Sequence, residues 1–190
     1  MSIEIERKYI IDTEEAEKLK NKSIKKIGII QWYLRSEENE IERVRLQLIK
    51  KNNKIIKKWN YAYKANTKIP HKKIEKERNY IPRDINILFD KKMVIKIRYV
   101  IKENPEIVID EFVKIEGLHY NIDEKNLLEI EMKEIKEYNV EDFLNELKKE
   151  NIKIIKDVTE NYKYYNNNIA SKPDMRIDLN EIIEVLKWRI

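Results

Sequence analysis

The sequence predicts a single α+β domain in which antiparallel strands turn charged faces toward a shared, water-filled interior. Short polar turns at residues 36–39 and 51–54 separate runs rich in apolar residues, which is typical of β-hairpins. Charged residues of one sign recur two positions apart, so the members of each pair share one strand face. Residues 140–150 and 180–189 carry apolar stripes at helical spacing and predict helices near the C-terminus.

The predicted elements are strands interrupted by a few helices. Asp12 or Thr13 is placed to cap a first helix over residues 14–21. Pro82 suits the first turn of a helix that reaches about residue 90, and residues 161–170 are interpreted as a further helix. Strands are predicted over residues 3–11, 23–35, 41–50, 55–65, 72–81, 93–102, 106–114 and 127–135.

The chain is interpreted as one domain with a helical extension. Residues 1–170 form the predicted domain, and residues 171–190 end in an apolar helix beyond it. We expect that helix to pack on the domain, because lone amphipathic stretches usually belong to the core. The alternative is that its apolar surface forms a homodimer interface.

Composition restricts the classes of function. Only two of the 190 residues are glycine, which excludes glycine-rich phosphate loops, so any phosphate binding must use Arg and Lys side chains. The net charge of +5 would suit nucleic acid, but acids and bases are interleaved, so no nucleic-acid partner is expected. The chain has no cysteine, no signal-like beginning and no long apolar run, which favours a cytoplasmic protein without a membrane partner.

Acidic and basic strand faces occur in similar number. Glu4, Glu6 and Lys8 share one face of the first strand. Like charges on one face repel each other and need partners. We therefore expect these faces to meet in one interior, where the acids gather a cation and the bases gather a polyanion. The other members are the pairs Arg43 and Arg45, Glu75 and Glu77, Lys96 and Arg98, and Glu129 and Glu131, joined by Lys64, Lys73 and Asp110.

This ordered series resembles the signature of the CYTH domain, the family of triphosphate tunnel metalloenzymes. Glu4-x-Glu6-x-Lys8 is similar to the ExExK motif that begins the bacterial tripolyphosphatase branch, and the match continues to Asp157-Val-Thr159 and residues 164–170. The chain departs from the family pattern where Lys73 replaces a common Arg and Asp157 replaces a common Glu. The resemblance implies an antiparallel eight-stranded β-barrel, the triphosphate tunnel fold, wrapped by helices.

In the expected site, the acidic residues are assigned to a metal ion and the basic residues to phosphate. Clustered carboxylates bind hard divalent cations, so the expected cofactor is Mg²⁺ or Mn²⁺. The candidate ligands are Glu4, Glu6, Glu129, Glu131 and Asp110, with Glu75 and Glu77 as a second set. Arg and Lys suit phosphate oxygens. The candidate phosphate-binding residues are Lys8, Arg43, Arg45, Lys64, Lys96 and Arg98, with Lys73 in the second set. Lys8 and Glu6 are the candidate catalytic residues, and His71 and His119 are interpreted as surface residues.

The first functional hypothesis implied by the resemblance is a metal-dependent triphosphatase. It would hydrolyse inorganic tripolyphosphate, with nucleoside triphosphates as competing small-molecule substrates. The alternatives within the family are a class IV adenylate cyclase, which makes cyclic AMP and pyrophosphate from ATP, a thiamine triphosphatase and an RNA triphosphatase. A non-enzymatic alternative is a polyphosphate-binding module, which binds without metal-dependent turnover and with a steep salt dependence.

Overall fold

A computed structural model of the chain describes residues 2–37, 39–67, 72–133 and 139–190. The strands are β1 (Ser2–Ile10), β2 (Lys25–Ser36), β3 (Glu40–Lys51), β4 (Lys54–Asn66), β5 (Lys72–Asn79), β6 (Lys92–Glu103), β7 (Glu106–Phe112), β8 (Asn126–Lys133) and β9 (Lys156–Asp157). The α-helices are α1 (Thr13–Asn21), α2 (Val140–Lys149), α3 (Asn166–Ile169) and α4 (Leu179–Arg189), and 3-10 turns span Ile85–Leu88 and Tyr162–Tyr164.

Within these ranges, nine strands form one antiparallel, strongly curled sheet. Its strand order is β5-β4-β3-β2-β6-β7-β8-β1-β9. β1 also pairs with β5, from Ser2 opposite Glu75 to Ile5 opposite Lys72, so the sheet turns back toward its own first strand. This architecture confirms the predicted antiparallel α+β class. Each strand predicted from the sequence is present, and the two-residue β9 was not predicted.

The main hydrophobic core lies outside the curl, between the convex face of the sheet and the helices. Trp32 and Ile97 contribute to it from the strands, and Phe143 and Leu186 contribute from α2 and α4. Full burial of such a side chain stabilises the fold by roughly 1.5–3 kcal/mol. Side chains alternate along a strand, so the neighbours of these core residues point to the concave face. The fold can therefore tolerate polar residues inside the curl.

Helix α4 packs closely on β2. Its Ile182, Ile183 and Leu186 are buried, and a Cβ added at Gly28 would lie 3.2 Å from the Cβ of Leu186. A larger residue at that position would have to push the helix outward. On the opposite side of α4, Trp188 is 88% exposed. Among the residues described, no helix combines the length and the apolar character needed to cross a membrane.

Two of the predicted helices are much shorter in the structure. The segment after Pro82 forms only a 3-10 turn, which Asp84 caps by accepting a hydrogen bond from Asn86 N at 2.9 Å. Residues 161–170 divide into a 3-10 turn and α3, and Asn161 caps the turn by accepting from Lys163 N at 3.1 Å. The cap of α1, by contrast, is Asp12, as predicted.

A buried carboxylate on the convex face joins both ends of the chain to the sheet. Glu111 of β7 is 3% exposed, and Lys20 Nζ of α1 lies 2.9 Å from its Oε2. Lys125 Nζ lies 3.0 Å from Oε1, which Arg189 of α4 also contacts. Burial alone would raise the pKa of Glu111, but hydrogen bonds from Lys20 and Lys125 outweigh it and lower that pKa to about 2.

Removal of this charge should destabilise the fold at neutral pH. We expect Glu111→Gln to lower the free energy of unfolding by about 3 kcal/mol, because it removes the buried anion that pairs with the buried Lys20 and the partly exposed Arg189. A carboxylate with a lowered pKa stabilises the folded state above about pH 4.5, and that stabilisation is lost as the pH falls toward 2. The difference between variant and wild type should therefore shrink over that range in urea titrations. Glu184→Gln, which removes an exposed pair with Lys187, is the control and should change stability little.

Candidate functional site

The side chains of the concave face form three layers along the strands. Charged and amide side chains form the middle layer. The first apolar layer, at one end of the curl, contains Tyr33, Val94, Phe112 and Leu127, which pack against Val158, Tyr164, Ile169 and Ala170. The second apolar layer, toward the other end, comes from β2, β6 and β7 and so covers one wall of the curl, with Ile27, Ile29, Val100 and Val108. Charges between such layers interact more strongly than they would in bulk water, because the effective dielectric constant is lower.

The first ion-paired cluster collects residues from four strands. Lys64 Nζ lies 2.8 Å from Glu4 Oε2 and 3.4 Å from Glu75 Oε1. Arg43 Nη2 donates to Glu75 Oε1 at 2.8 Å and lies 3.6 Å from Glu77 Oε1. The members come from β1, β3, β4 and β5, so the cluster depends on the pairing of β1 with β5.

Glu4 and Glu75 both lie beside Lys64 Nζ, and the protonation of one carboxyl group depends on that of the other. Burial, the hydrogen bond to Glu75 and the charge of Glu131 raise the pKa of Glu4 to about 8, against the opposing charge of Lys64. Burial would also raise the pKa of Glu75, but the hydrogen bond from Glu4 and the charges of Lys64 and Arg43 lower it to about 2. The protein thus resists placing a further negative charge here, and a bound cation would relieve that resistance.

The second cluster centres on Arg98 and two carboxylates. Arg98 Nε and Nη2 donate to the two oxygens of Asp110, each at 2.8 Å, and Nη2 also donates to Glu129 Oε2 at 2.9 Å. Lys8 Nζ contacts Glu129 Oε1, and Lys96 Nζ contacts Asp110 Oδ2. Neither the Lys96 side chain nor the Asp110 side chain has any exposed surface.

Burial and ion pairing shift the pKa values of these groups in opposite directions. Burial lowers the pKa of Lys8, but the charges of Glu129 and Glu6 outweigh it, so this pKa is raised and Lys8 stays protonated. Burial raises the pKa of Glu129, but Lys8, Lys96 and Arg98 hold it well below its usual range. For Lys96, burial prevails over the charge of Asp110 and lowers the pKa to about 8.

Arg45 differs from the other cations of the middle layer. Its Nε donates to Gln31 Oε1 at 2.9 Å, and among the described residues no carboxylate lies within ion-pair distance of its guanidinium. Arg45 is 8% exposed. Burial, followed by the charges of Arg43 and Arg98, lowers its pKa to about 10. A buried cation without an anionic partner is unfavourable in the ligand-free protein, which marks Arg45 as a candidate contact for an anionic ligand.

The remaining glutamates of the predicted site also lie at the concave face. Lys8 Nζ lies 2.6 Å from Glu6 Oε1. Glu131 stands opposite Glu6 in the pairing of β1 with β8, and its charge acts on Glu4. Glu77 is the most exposed of the acids that contact the two clusters. The backbone of Lys73 pairs with Glu4, but its side chain lies outside the described part of the structure.

Other residues singled out in the sequence lie away from these clusters. Asp157 contacts Arg7 on the opposite side of β1 and accepts from Thr159 N at 2.9 Å, so it ties residues 157–159 to the first strand. His119 is exposed, with Nε2 at 3.5 Å from Asp174 Oδ2, which agrees with its interpretation as a surface residue. His71 lies outside the described residues.

Four site residues carry no formal charge at neutral pH and were not predicted. Gln31 Nε2 contacts the Tyr33 hydroxyl, and burial raises the pKa of Tyr33 to about 12 although Arg43 is near. Asn166 of α3 donates from Nδ2 to Glu129 Oε1 at 3.2 Å and accepts from Lys96 Nζ at 3.2 Å. Tyr165 precedes it and lies near the charges of Glu6 and Lys8. Gln31 and Tyr33 alternate in step with the charged positions of the neighbouring strands, and Tyr165 and Asn166 lie in the segment 164–170 that resembles the family, but none of the four was singled out.

Across the described ranges, no group of three or more His, Cys, Asp and Glu side chains is arranged as a ready-made metal site. The carboxylates bond instead to Lys and Arg. Their chemistry nevertheless fits a hard divalent cation, because the donors are carboxylate oxygens and because Glu4 and Glu75 lie together beside the positive charge of Lys64, whose place a cation could take. The residues present are therefore compatible with Mg²⁺ or Mn²⁺.

Comparisons with known proteins support the fold but give no information about the activity. No protein-family profile matches the chain, and no curated protein matches it. A solved structure of a protein from Pyrococcus horikoshii OT3 is similar, with a TM-score of 0.55 and 19% identity over 81% of this chain and 92% of that chain. A conserved hypothetical protein from Pyrococcus furiosus has a TM-score of 0.51 and 16% identity over 79% and 91% of the two chains. At these identities the similarity shows the fold alone.

Proposed function

We propose that the chain is a metal-dependent triphosphate hydrolase that acts on inorganic tripolyphosphate, with nucleoside triphosphates as further substrates. The observation that carries the proposal is the convergence of paired acids and bases on one concave face. In the ligand-free protein these charges neutralise each other. A triphosphate with a divalent cation offers each set a suitable partner, since phosphate oxygens bind Arg and Lys and the cation binds carboxylates.

We propose further that the curled sheet is an eight-stranded tunnel of the CYTH type. The pairing of β1 with β5 supports this, because it joins the two ends of the order β5-β4-β3-β2-β6-β7-β8-β1. The order of charged residues along the chain, from Glu4-x-Glu6-x-Lys8 to Glu129-x-Glu131, supports it independently. β9 then extends the sheet beside the end of β1, at Tyr9 and Ile10, beyond the residues that pair with β5.

In this proposal the basic residues hold the chain of phosphates. Arg43, Arg45 and Arg98 offer planar forks to pairs of phosphate oxygens, and Lys8, Lys64 and Lys96 act as point charges. Strands hold these groups in fixed positions, which favours catalysis by orientation and by electrostatic stabilisation. Asp110 keeps Arg98 and Lys96 in place through its buried contacts.

The glutamates are the expected holders of the cation. Glu4, Glu6, Glu129 and Glu131 would hold it, with Glu75 able to contribute because it lies near Glu4 beside Lys64. When bound, Mg²⁺ or Mn²⁺ supplies positive charge to the phosphate oxygens and lowers the pKa of bound water. Removal of metal by chelation should therefore stop turnover.

The reaction requires water alone as co-reactant. The water oxygen forms a bond to the terminal phosphorus while the bond from that phosphorus to the bridging oxygen breaks. The bridging electron pair leaves with pyrophosphate, and phosphate is released. Lys8 stays protonated, so its role is to stabilise negative charge. Glu6, whose carboxylate contacts Lys8, is placed to receive the proton that the water loses.

An activity panel on the purified chain tests this proposal. We expect metal-dependent release of phosphate from tripolyphosphate at a rate at least comparable to that from ATP, GTP or thiamine triphosphate. Chromatography of the nucleotide products separates the alternatives. Cyclic AMP and pyrophosphate from ATP, with no phosphate from tripolyphosphate, would show a cyclase. Tight binding without turnover under either metal would show a polyphosphate-binding module.

A further inference from the structure

A segment near the C-terminus crosses one end of the curled sheet. This crossing segment, residues 158–171, is tied at one end to β1, where Val158 N donates to Lys8 O at 2.9 Å. At its other end it is tied to β6, where Met93 N donates to Ser171 O at 2.8 Å. Between these two points, Asn167 Nδ2 donates to Ser36 Oγ at the end of β2, at 3.0 Å.

The crossing segment seals that end with apolar side chains. Its Ile169 and Ala170 have no exposed surface, and they belong to the same cluster as Val94 and Phe112 from the concave face. Because Val94 precedes Lys96 on β6 by one inward position, this apolar layer lies immediately beyond the deepest charged residues. The described residues of this layer contribute apolar surface, so a hydrated polyanion that passed between them would lose its solvation without replacement.

The exposed fractions of the charged side chains indicate that the opposite end of the curl is open to solvent. This open end is called the mouth. Lys96 and Asp110 are 0% exposed, Lys8 and Glu129 are each 7% exposed, and Glu77 is 45% exposed. Glu106, which begins β7 at the end away from Phe112, is 33% exposed. Accessibility therefore falls from Glu77 and Glu106 toward Lys96.

The polar contacts of the crossing segment lie at the deep end of this gradient. Asn166 bonds to both Glu129 and Lys96 from inside the curl. The segment therefore supplies part of the floor of the site as well as its apolar seal. A ligand that enters from the mouth would meet Asn166 and Lys96 last.

From this arrangement we infer that the site has one mouth and takes a linear polyphosphate by its free end, with the crossing segment as the element that limits how far the chain can enter. This inference rests on the proposed triphosphatase function. A chain longer than the pocket must leave its remaining phosphates outside the mouth. Hydrolysis of long polyphosphate should therefore shorten it from its ends, because its middle cannot be threaded past the closed end.

The test is the size distribution of products from long-chain linear polyphosphate, followed by gel electrophoresis and by the ³¹P signals of end and internal groups. The expected result is a gradual loss from the ends, with phosphate or one fixed short product released. A ladder of intermediate fragments early in the reaction would show internal cleavage and would overturn the single mouth. Failure to hydrolyse tripolyphosphate would instead overturn the proposed function, and competition binding of the two polyphosphates would then show whether one free end is needed.

A variant of the crossing segment strengthens the test. Ile169→Ala removes buried volume from the seal without touching a charged residue, and we expect internal fragments to appear in it at least about tenfold above the wild-type level. Ile182→Ala makes the same truncation in the core between α4 and the sheet, and it should keep the wild-type product pattern. Equal product patterns in all three proteins, with internal fragments in each, would contradict the inference.

Discussion

We expect tripolyphosphate to bind at least about tenfold more tightly when Mg²⁺ is present, and Mg²⁺ to bind more tightly by the same factor when tripolyphosphate is present. Calorimetric titrations of each ligand, with and without the other, measure both factors. The known association of Mg²⁺ with tripolyphosphate in buffer must be subtracted. Reciprocity of the two corrected factors is required of any true coupling between sites.

The physical reason for the coupling is the pairing of charges in the ligand-free protein. Lys64 is paired with Glu4, and Arg98 is paired with Asp110 and Glu129. A polyanion that arrives alone must compete with carboxylates for these cations. A metal ion that arrives alone must take carboxylates away from Lys and Arg, which leaves buried positive charges without partners. When the polyanion and the metal ion bind together, the carboxylates exchange Lys and Arg for the metal ion, and Lys and Arg exchange the carboxylates for phosphate.

Glu129→Gln should uncouple the two ligands. The change removes a carboxylate that holds Lys8 and Arg98, at nearly constant volume. We expect metal-free binding of tripolyphosphate to become tighter, the enhancement by Mg²⁺ to fall toward one, and turnover to be lost. Glu184→Gln, on the surface of α4, is the control and should leave all three unchanged. If Mg²⁺ enhanced tripolyphosphate binding as strongly in Glu129→Gln as in the wild type, this carboxylate would not take part in metal binding.

Local sequence signals were sufficient to predict most of the sheet. Strand alternation places charge at Glu4, Arg45 and Glu129 and apolar residues beside them, and the structure keeps that alternation across β1, β3 and β8. The curl of the sheet and the pairing of β1 with β5 are long-range events, and no local pattern encodes them. The missed β9 has only two residues, which is too short for any periodicity to be recognised.

The charged residues of the candidate site were predicted from the sequence, and its uncharged residues were not. Arg98 was singled out because two like charges on one strand face need partners, and Lys8 because it follows Glu4 and Glu6 on one strand face in the ExExK pattern. Asn166 had no such signal, since an Asn in a polar stretch is most often a turn or cap residue. Only the path of the crossing segment brings it to Glu129 and Lys96. Glu111 was missed for a related reason, because its cations come from three distant parts of the chain.

Arg45 offers the clearest separation of stability from function. Its pKa is lowered to about 10, which means that the folded protein disfavours its charge relative to the unfolded chain. At neutral pH the residue is charged in both states, so it destabilises the fold, and that destabilisation is relieved only as the pH rises above about 10. Residues that oppose stability in this way are expected at binding sites.

Arg45→Gln should therefore make the protein more stable and a weaker binder. The amide can still donate to Gln31, while the buried charge and its repulsion from Arg43 and Arg98 are removed. We expect a gain of about 1–2 kcal/mol in the free energy of unfolding, seen as a rise in Tm of about 2–4 °C per kcal/mol, together with at least about tenfold weaker binding of tripolyphosphate. Arg35→Gln, at an exposed pair with Glu37 on the same sheet, is the matched control and should change neither quantity appreciably. A lower Tm with unchanged tripolyphosphate affinity would mean that Arg45 is a structural residue and that the phosphates bind elsewhere.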